Sequence, residues 1–217
     1  MNSPSASMTA SVSPSASSSA GTSSTSESEN VSTSPDDVNE SGLTAEEQKK
    51  VDAGEYVAAS VNHRAFNVPK PVFPEAAREE TLEGALAFLD YWLDMRQYAV
   101  LTGDISGIKE LTDAQNVKEH DFYQRLHSDY ASGNWLFRER PNTKYYTDNL
   151  VISPDGIYRI LISTHTPDGT FCEKDRGCST IEGGGNEDKL INNEIYYDEG
   201  RWVFLGLTAV EGIDYDS

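Results

Sequence analysis

Cysteine is nearly absent. The 217 residues hold two, Cys172 and Cys178, in the stretch "FCEKDRGCS". Their spacing excludes a Cys-x-x-Cys redox motif and a four-ligand zinc site. Two cysteines flanking a polar, glycine-containing loop read as a local disulfide, with a pair of free thiols as the alternative. Closing so short a loop would contribute about 2 kcal/mol. Long apolar runs are also missing: no stretch of ~18 apolar residues occurs, so no helical membrane span is expected. Basic residues are scarce, 17 Lys and Arg against 36 Asp and Glu, for a formal charge of −19. No Lys/Arg cluster is present to meet a nucleic-acid backbone or an anionic membrane surface, so neither is expected as a partner. The acidic balance itself reads as solubility and self-repulsion.

What is present begins with "MNSPSASMTASVSPSASSSAGTSSTSESEN". From Met1 to Ser26 it holds no charge and no aromatic ring, and so too little apolar surface to offset its ordering entropy. It has neither a basic start nor an apolar core, and does not read as a signal peptide. The text then turns acidic and polar as far as Asp52. The expected division is a disordered tether over 1–52, an extended proline-containing strap over 53–73 and one domain over 74–217. Pro69, Pro71 and Pro74 favour the extended path. The apolar residues among them, Phe66, Val68, Val72 and Phe73, suggest that the strap lies against the domain.

A long helix is expected to start at Pro74 and to stop at Gly103. Leu82, Leu86, Leu89, Leu93 and Val100 recur at helical spacing, and Ala85, Phe88, Trp92 and Ala99 widen the stripe. Shorter helices follow in "DISGIKELTD", capped by Asp104, and in "VKEHDFYQRLHSDYAS". After Gly133 the period drops to two. "NWLFRERP", "KYYTDNLVIS", "GIYRILISTHT", "KLINNEIYYDE" and "RWVFLGLTAV" read as strands separated by Pro-Asp-Gly and Asp-Glu-Gly turns, hence as antiparallel hairpins. "CEKDRGCSTIEGGGNED" reads as a long polar loop. The fold class is α+β: a long helix, first in the domain, and two shorter ones on a curved antiparallel sheet. By analogy this is the cone of nuclear-transport-factor-2-like and steroid-isomerase-like folds.

The helical block resembles a family of actinobacterial secreted lipoproteins, domain of unknown function family 6318. The resemblance rests on Val68, Pro69, Pro74, Thr81, Gly84, Ala87, Phe88, Tyr91, Trp92, Tyr98, Ala99, Thr102, Gly103, Asp104, Leu111 and Thr112, and on the closing "YYDEGRWVFLGL". It implies a lipid-anchored domain outside the cytoplasm on a Ser/Pro/Thr/Ala-rich tether. This chain carries the tether without the lipidated cysteine, so the expectation is a start placed downstream of a leader, and membrane attachment only through an anchor missing from this chain. Members also carry a Cys-x-x-Cys where this chain has Asn116 and Glu119. The family brings no activity with it.

Chemistry-bearing patterns are few. His63, His120, His127 and His165 are the four histidines, and the seven-residue step from His120 to His127 is too long for metal ligation at i, i+4. No nucleophile elbow, zincin motif, P-loop or EF-hand loop occurs. "IEGGGNED" has neither a following helix nor a Lys for phosphate. A cone can enclose a pocket, and Tyr91, Trp92, Tyr98, Trp135, Tyr145, Tyr158 and Tyr196 would line it, with Asp94 or Asp148 as the acid. The same rings equally suit a filled core. The favoured expectation is a monomeric, non-catalytic envelope domain without cofactor or metal, binding a protein or glycan partner. The alternative is a small-molecule-pocket protein or an isomerase/lyase-like enzyme. A third is a domain that only accompanies a secretion or wall-assembly system.

Overall fold

A computed structural model describes residues 38–210, without the side chains of 185–189. The described chain is α+β. Helices α1 (Ala45–Asp52), α2 (Leu82–Thr102), α3 (Ser106–Glu110) and α4 (Val117–Ala131) precede seven strands. These are β1 (Trp135–Arg138), β2 (Asn142–Ile152), β3 (Ile157–Thr166), β4 (Gly169–Glu173), β5 (Gly177–Ile181), β6 (Gly184–Asp198) and β7 (Arg201–Ala209).

The long helix lies inside the chain, behind α1, and starts eight residues later than Pro74 suggests. Pro74 opens a 3-10 turn, Glu75–Arg78, which ends in extended backbone at Glu79. Thr81 then caps α2, its hydroxyl accepting from the Gly84 N–H at 3.0 Å. The break is built into Gly84: a Cβ there would sit 2.1 Å from the Glu79 carbonyl oxygen, so only glycine lets the turn fold back onto the helix. At the other end Gly103, at φ 73°, closes α2 in the left-handed conformation.

The strands form two antiparallel sheets where one was expected. The larger has the order β2-β3-β6-β7 and the smaller β1-β4-β5. The smaller sheet exists because the segment read as a polar loop folds into a hairpin, β4 and β5, with Cys172 opposite Cys178. Its β5 is exposed almost throughout, so no apolar period marks it in the sequence. The "DEG" hairpin between β6 and β7 is as expected: Glu199 and Gly200 both have positive φ, the requirement of a type I′ turn.

One face of the larger sheet packs against α2. Ile160, Ile162, Ile195, Trp202 and Phe204 meet Phe88, Leu89, Trp92 and Met95, all buried. The Trp92 and Phe204 rings stack with centroids 3.9 Å apart. The Trp202 Nε1–H donates to the Glu79 carbonyl at 3.1 Å, which ties β7 to the break before α2.

Residues 1–37 of the expected tether lie outside the described residues. Its end is not featureless, contrary to the expectation for 1–52. Thr44 and Glu47 make a reciprocal capping box on α1, and Leu43 is buried. The strap is folded rather than simply extended. Val57 and Phe66 pair as an antiparallel bridge, and Asn67 donates to the carbonyls of Val51 and Glu55, both at 3.0 Å. Phe73 packs edge-on against Tyr91, but Val72 points outward, 88% exposed.

Candidate functional site: the groove over Arg138

The rings expected to line an interior pocket are engaged with one another and with fixed polar groups. Trp92 donates its Nε1–H to the Thr112 hydroxyl at 3.0 Å. Tyr91 holds Phe73. Tyr158 meets Trp202 edge-on and donates to Glu80 at 3.2 Å. Tyr145 donates to Asp90 at 3.3 Å, and burial, with the Asp90 charge second, pushes its phenol up. Tyr196 donates to Asp113 at 2.7 Å, and burial, then that hydrogen bond, pushes its phenol up to about 12. Trp135 lies on the other sheet and donates to the Ser60 carbonyl at 2.9 Å. Tyr98 is half-buried on α2.

The acids that hydrogen-bond these phenols are Asp90, Glu80 and Asp113 rather than the two candidates, Asp94 and Asp148. Asp94 is exposed and sits 2.7 Å from Arg140 Nε in an ion pair, off the hydrogen-bond direction, while the Arg140 fork also reaches Asp90 at 3.0 Å. Asp148 is exposed on β2, within the irregular stretch between Tyr146 and Val151. The structure does join Cys172 to Cys178.

The histidines are placed as packing or capping groups. His63 is buried, its Nδ1 2.8 Å from the Arg64 carbonyl and its Nε2 3.5 Å from Glu47. His120 meets the Asp113 carbonyl and His127 the Gly103 carbonyl. His165 is exposed on β3. Among the described residues no three His, Cys, Asp or Glu side chains gather as metal ligands, and no helix is long and apolar enough to cross a membrane.

A concavity lies elsewhere, on the smaller sheet. A groove of about 770 Å³ opens between the strap at Tyr56–Ala59, the C-terminal half of α2 at Gln97 and Leu101, the end of β1 and the β3–β4 turn. Its volume is in the range of small-ligand sites. Arg138 stands in its wall. The Arg138 Nε is buried with no hydrogen-bond partner, and burial, with Arg96 second, lowers the guanidinium's pKa. No carboxylate pairs with it among the described residues, whereas Arg96, Arg140 and Arg159 hold Glu119, Asp94 and Glu194. Gln97 Nε2 donates to the Arg138 carbonyl at 2.7 Å and fixes this strand end to α2.

Arg138 is not among the candidate residues expected from the sequence. A signal was there: in "WLFR" it follows Leu136 by two residues and so shares the inward face of β1. A charge at such a position is a functional-site pointer.

Residues 54–208 match the family of unknown function DUF6318. No curated protein matches the chain. Among solved structures, the intermembrane space region of chloroplast protein ARC6 is similar over 61% of this chain and 99% of its own, at 12% identity and a TM-score of 0.43.

Proposed function

Because the chain belongs to the family of unknown function DUF6318, we propose that it is a non-catalytic binding module of the cell envelope. It is presented as a monomer on the Ser/Ala/Thr/Pro-rich segment of an actinobacterial-type lipoprotein, and takes a protein or glycan partner. The observation that carries the reading is the engagement of the rings between α2 and the larger sheet. The Trp92–Phe204 stack and the Tyr158–Trp202 pair fill the space a catalytic pocket would need. In this reading α2 on β2-β3-β6-β7 is a nuclear-transport-factor-2-like cone closed by its own side chains, and recognition has moved to the outer groove.

Location is supported by two features. The uncharged opening segment has the composition of a spacer. The Cys172–Cys178 pair suits an oxidising compartment. The test uses cells that make the protein. Thiol alkylation before and after reduction, combined with protease shaving of intact cells, is expected to find both cysteines blocked until reduction and the domain removed by shaving. Freely alkylated thiols in a protein protected until lysis would overturn the envelope reading. Turnover of a small molecule that disappears in Asp94→Asn would overturn the non-catalytic one.

A further inference from the structure

The groove over Arg138 allows the partner's chemistry to be narrowed, resting on the reading of the domain as a non-catalytic binder. An unpaired guanidinium is costly where water is excluded, and here the buried Nε–H finds no acceptor. The site also keeps room for the side chain. Gly169 is directly opposite Arg138 in the β1–β4 register, and a Cβ there would lie 3.3 Å from Arg138 Nε and 3.1 Å from its Cβ. The Nε is closed off from solvent, so a bound oxyanion would meet the guanidinium through its two Nη atoms, which have neither a carboxylate nor another hydrogen-bond partner among the described residues.

Two carboxylates restrict that anion. Asp168 lies in the groove, held by the Gly183 N–H at 2.7 Å, and Glu139 follows Arg138 in its rim. A phosphate dianion or a polyacidic peptide would meet both. A ligand with a single carboxylate and otherwise neutral hydroxyls would meet the cation with its charge and the acceptors with its hydroxyls. The second oxygen of Asp168, the amide of Gln97 and the hydroxyl of Thr170 supply those polar partners, and Tyr56, 45% exposed, supplies an apolar wall. The geometry points to a sugar-acid site anchored by Arg138, with the carboxylate on the guanidinium fork and ring hydroxyls on Asp168, Gln97 and Thr170.

The full chain, labelled with nitrogen-15, is titrated by NMR with methyl glucuronide, methyl glucoside, diglutamate and inorganic phosphate. Methyl glucuronide is expected to shift the amides of Arg138, Gly169 and Thr170 saturably, and the glucoside to bind about tenfold or more weakly for want of a charge-assisted bond. Arg138→Gln abolishes saturation, and Arg138→Lys, with charge but no fork, weakens it about tenfold. Arg125→Gln, on the exposed face of α4, leaves it unchanged. Unmoved α2 amides in each variant separate lost binding from lost fold. Equal binding by Arg138→Gln, tighter binding of diglutamate or phosphate, or no saturation by any probe would overturn the site. Conversion of the sugar during the titration would instead overturn the non-catalytic reading and leave the site standing.

Discussion

The two sheets of this domain are held by different forces. The larger one is fixed by burial: α2 brings nine buried residues, and β3, β6 and β7 answer with Ile160, Ile162, Ile195, Trp202 and Phe204. The smaller one sends Leu136 and the partly buried Phe171 and Ile181 into that core. It is held instead by the Cys172–Cys178 bond, the Gln97–Arg138 hydrogen bond and the Trp135–Ser60 hydrogen bond. Packing that fills space leaves no room for a ligand, whereas covalent and polar ties can hold a wall without filling what stands beside it. The open groove and the unpaired arginine accordingly lie on the smaller sheet. Binding regions are drawn from the less densely packed parts of a fold.

The largest effect expected from this contrast is in the packed half. Trp202 meets Tyr158 and Tyr197 edge-on and ties down the Glu79 carbonyl. Trp202→Ala should cost about 3–5 kcal/mol in urea denaturation, the range for truncating a buried large ring. Trp202→Phe should cost less, about 1 kcal/mol from the lost hydrogen bond plus a packing loss, since the Glu79 carbonyl keeps the Thr81 N–H at 2.9 Å. If Trp202→Ala cost no more than removing the disulfide, the contrast between the two sheets would not hold.

The same contrast explains how much was legible in the sequence. The apolar stripe of α2 and the alternating strands of the larger sheet could be read, because burial writes a period into the residues it selects. The start of α2 is not marked in the sequence because Pro74 and the acids after it suit an α-helix as well as a 3-10 turn, and only the approach of Glu79 to Gly84 separates them. Helix α1 was overlooked although "TAEE" holds its capping box, since the composition around it belongs to a linker. The β4–β5 hairpin was invisible for the opposite reason: a strand that faces water and is secured by a covalent bond needs no apolar alternation. Arg138 fell in the same gap, since an inward charge stands out only once Leu136 is known to face the core.

The second prediction concerns that covalent bond. The double change Cys172→Ala with Cys178→Ala removes the closure of a short loop and should cost about 2 kcal/mol, less than Trp202→Ala. Hydrogen exchange should accelerate in β4 and β5 and stay unchanged in α2. The groove should loosen with it, because Gly169 and Thr170 lie on β4. Equal acceleration in α2 would show that the smaller sheet is part of the packed core.

The smallest effect is expected from pH, and it too separates the two regions. Tyr196, on the larger sheet, has its phenol pushed up to about 12, against 10.0 for the ordinary group. In the window between those values the folded chain keeps a proton that the unfolded chain has lost. The unfolded state then binds fewer protons, so stability falls as pH rises through the window. Below it both states are protonated and this contribution does not vary with pH. Tyr130 adds to the same slope: burial pushes its phenol up to about 12, and its hydroxyl lies 2.8 Å from the Val100 carbonyl. Tyr196→Phe should therefore flatten the alkaline loss of stability in urea titrations without removing it, while near neutral pH it removes the hydrogen bond to Asp113 and lowers stability modestly. The disulfide variant should keep the full alkaline slope. A slope unchanged in Tyr196→Phe would mean that burial and the hydrogen bond to Asp113 do not hold this phenol protonated in the folded chain.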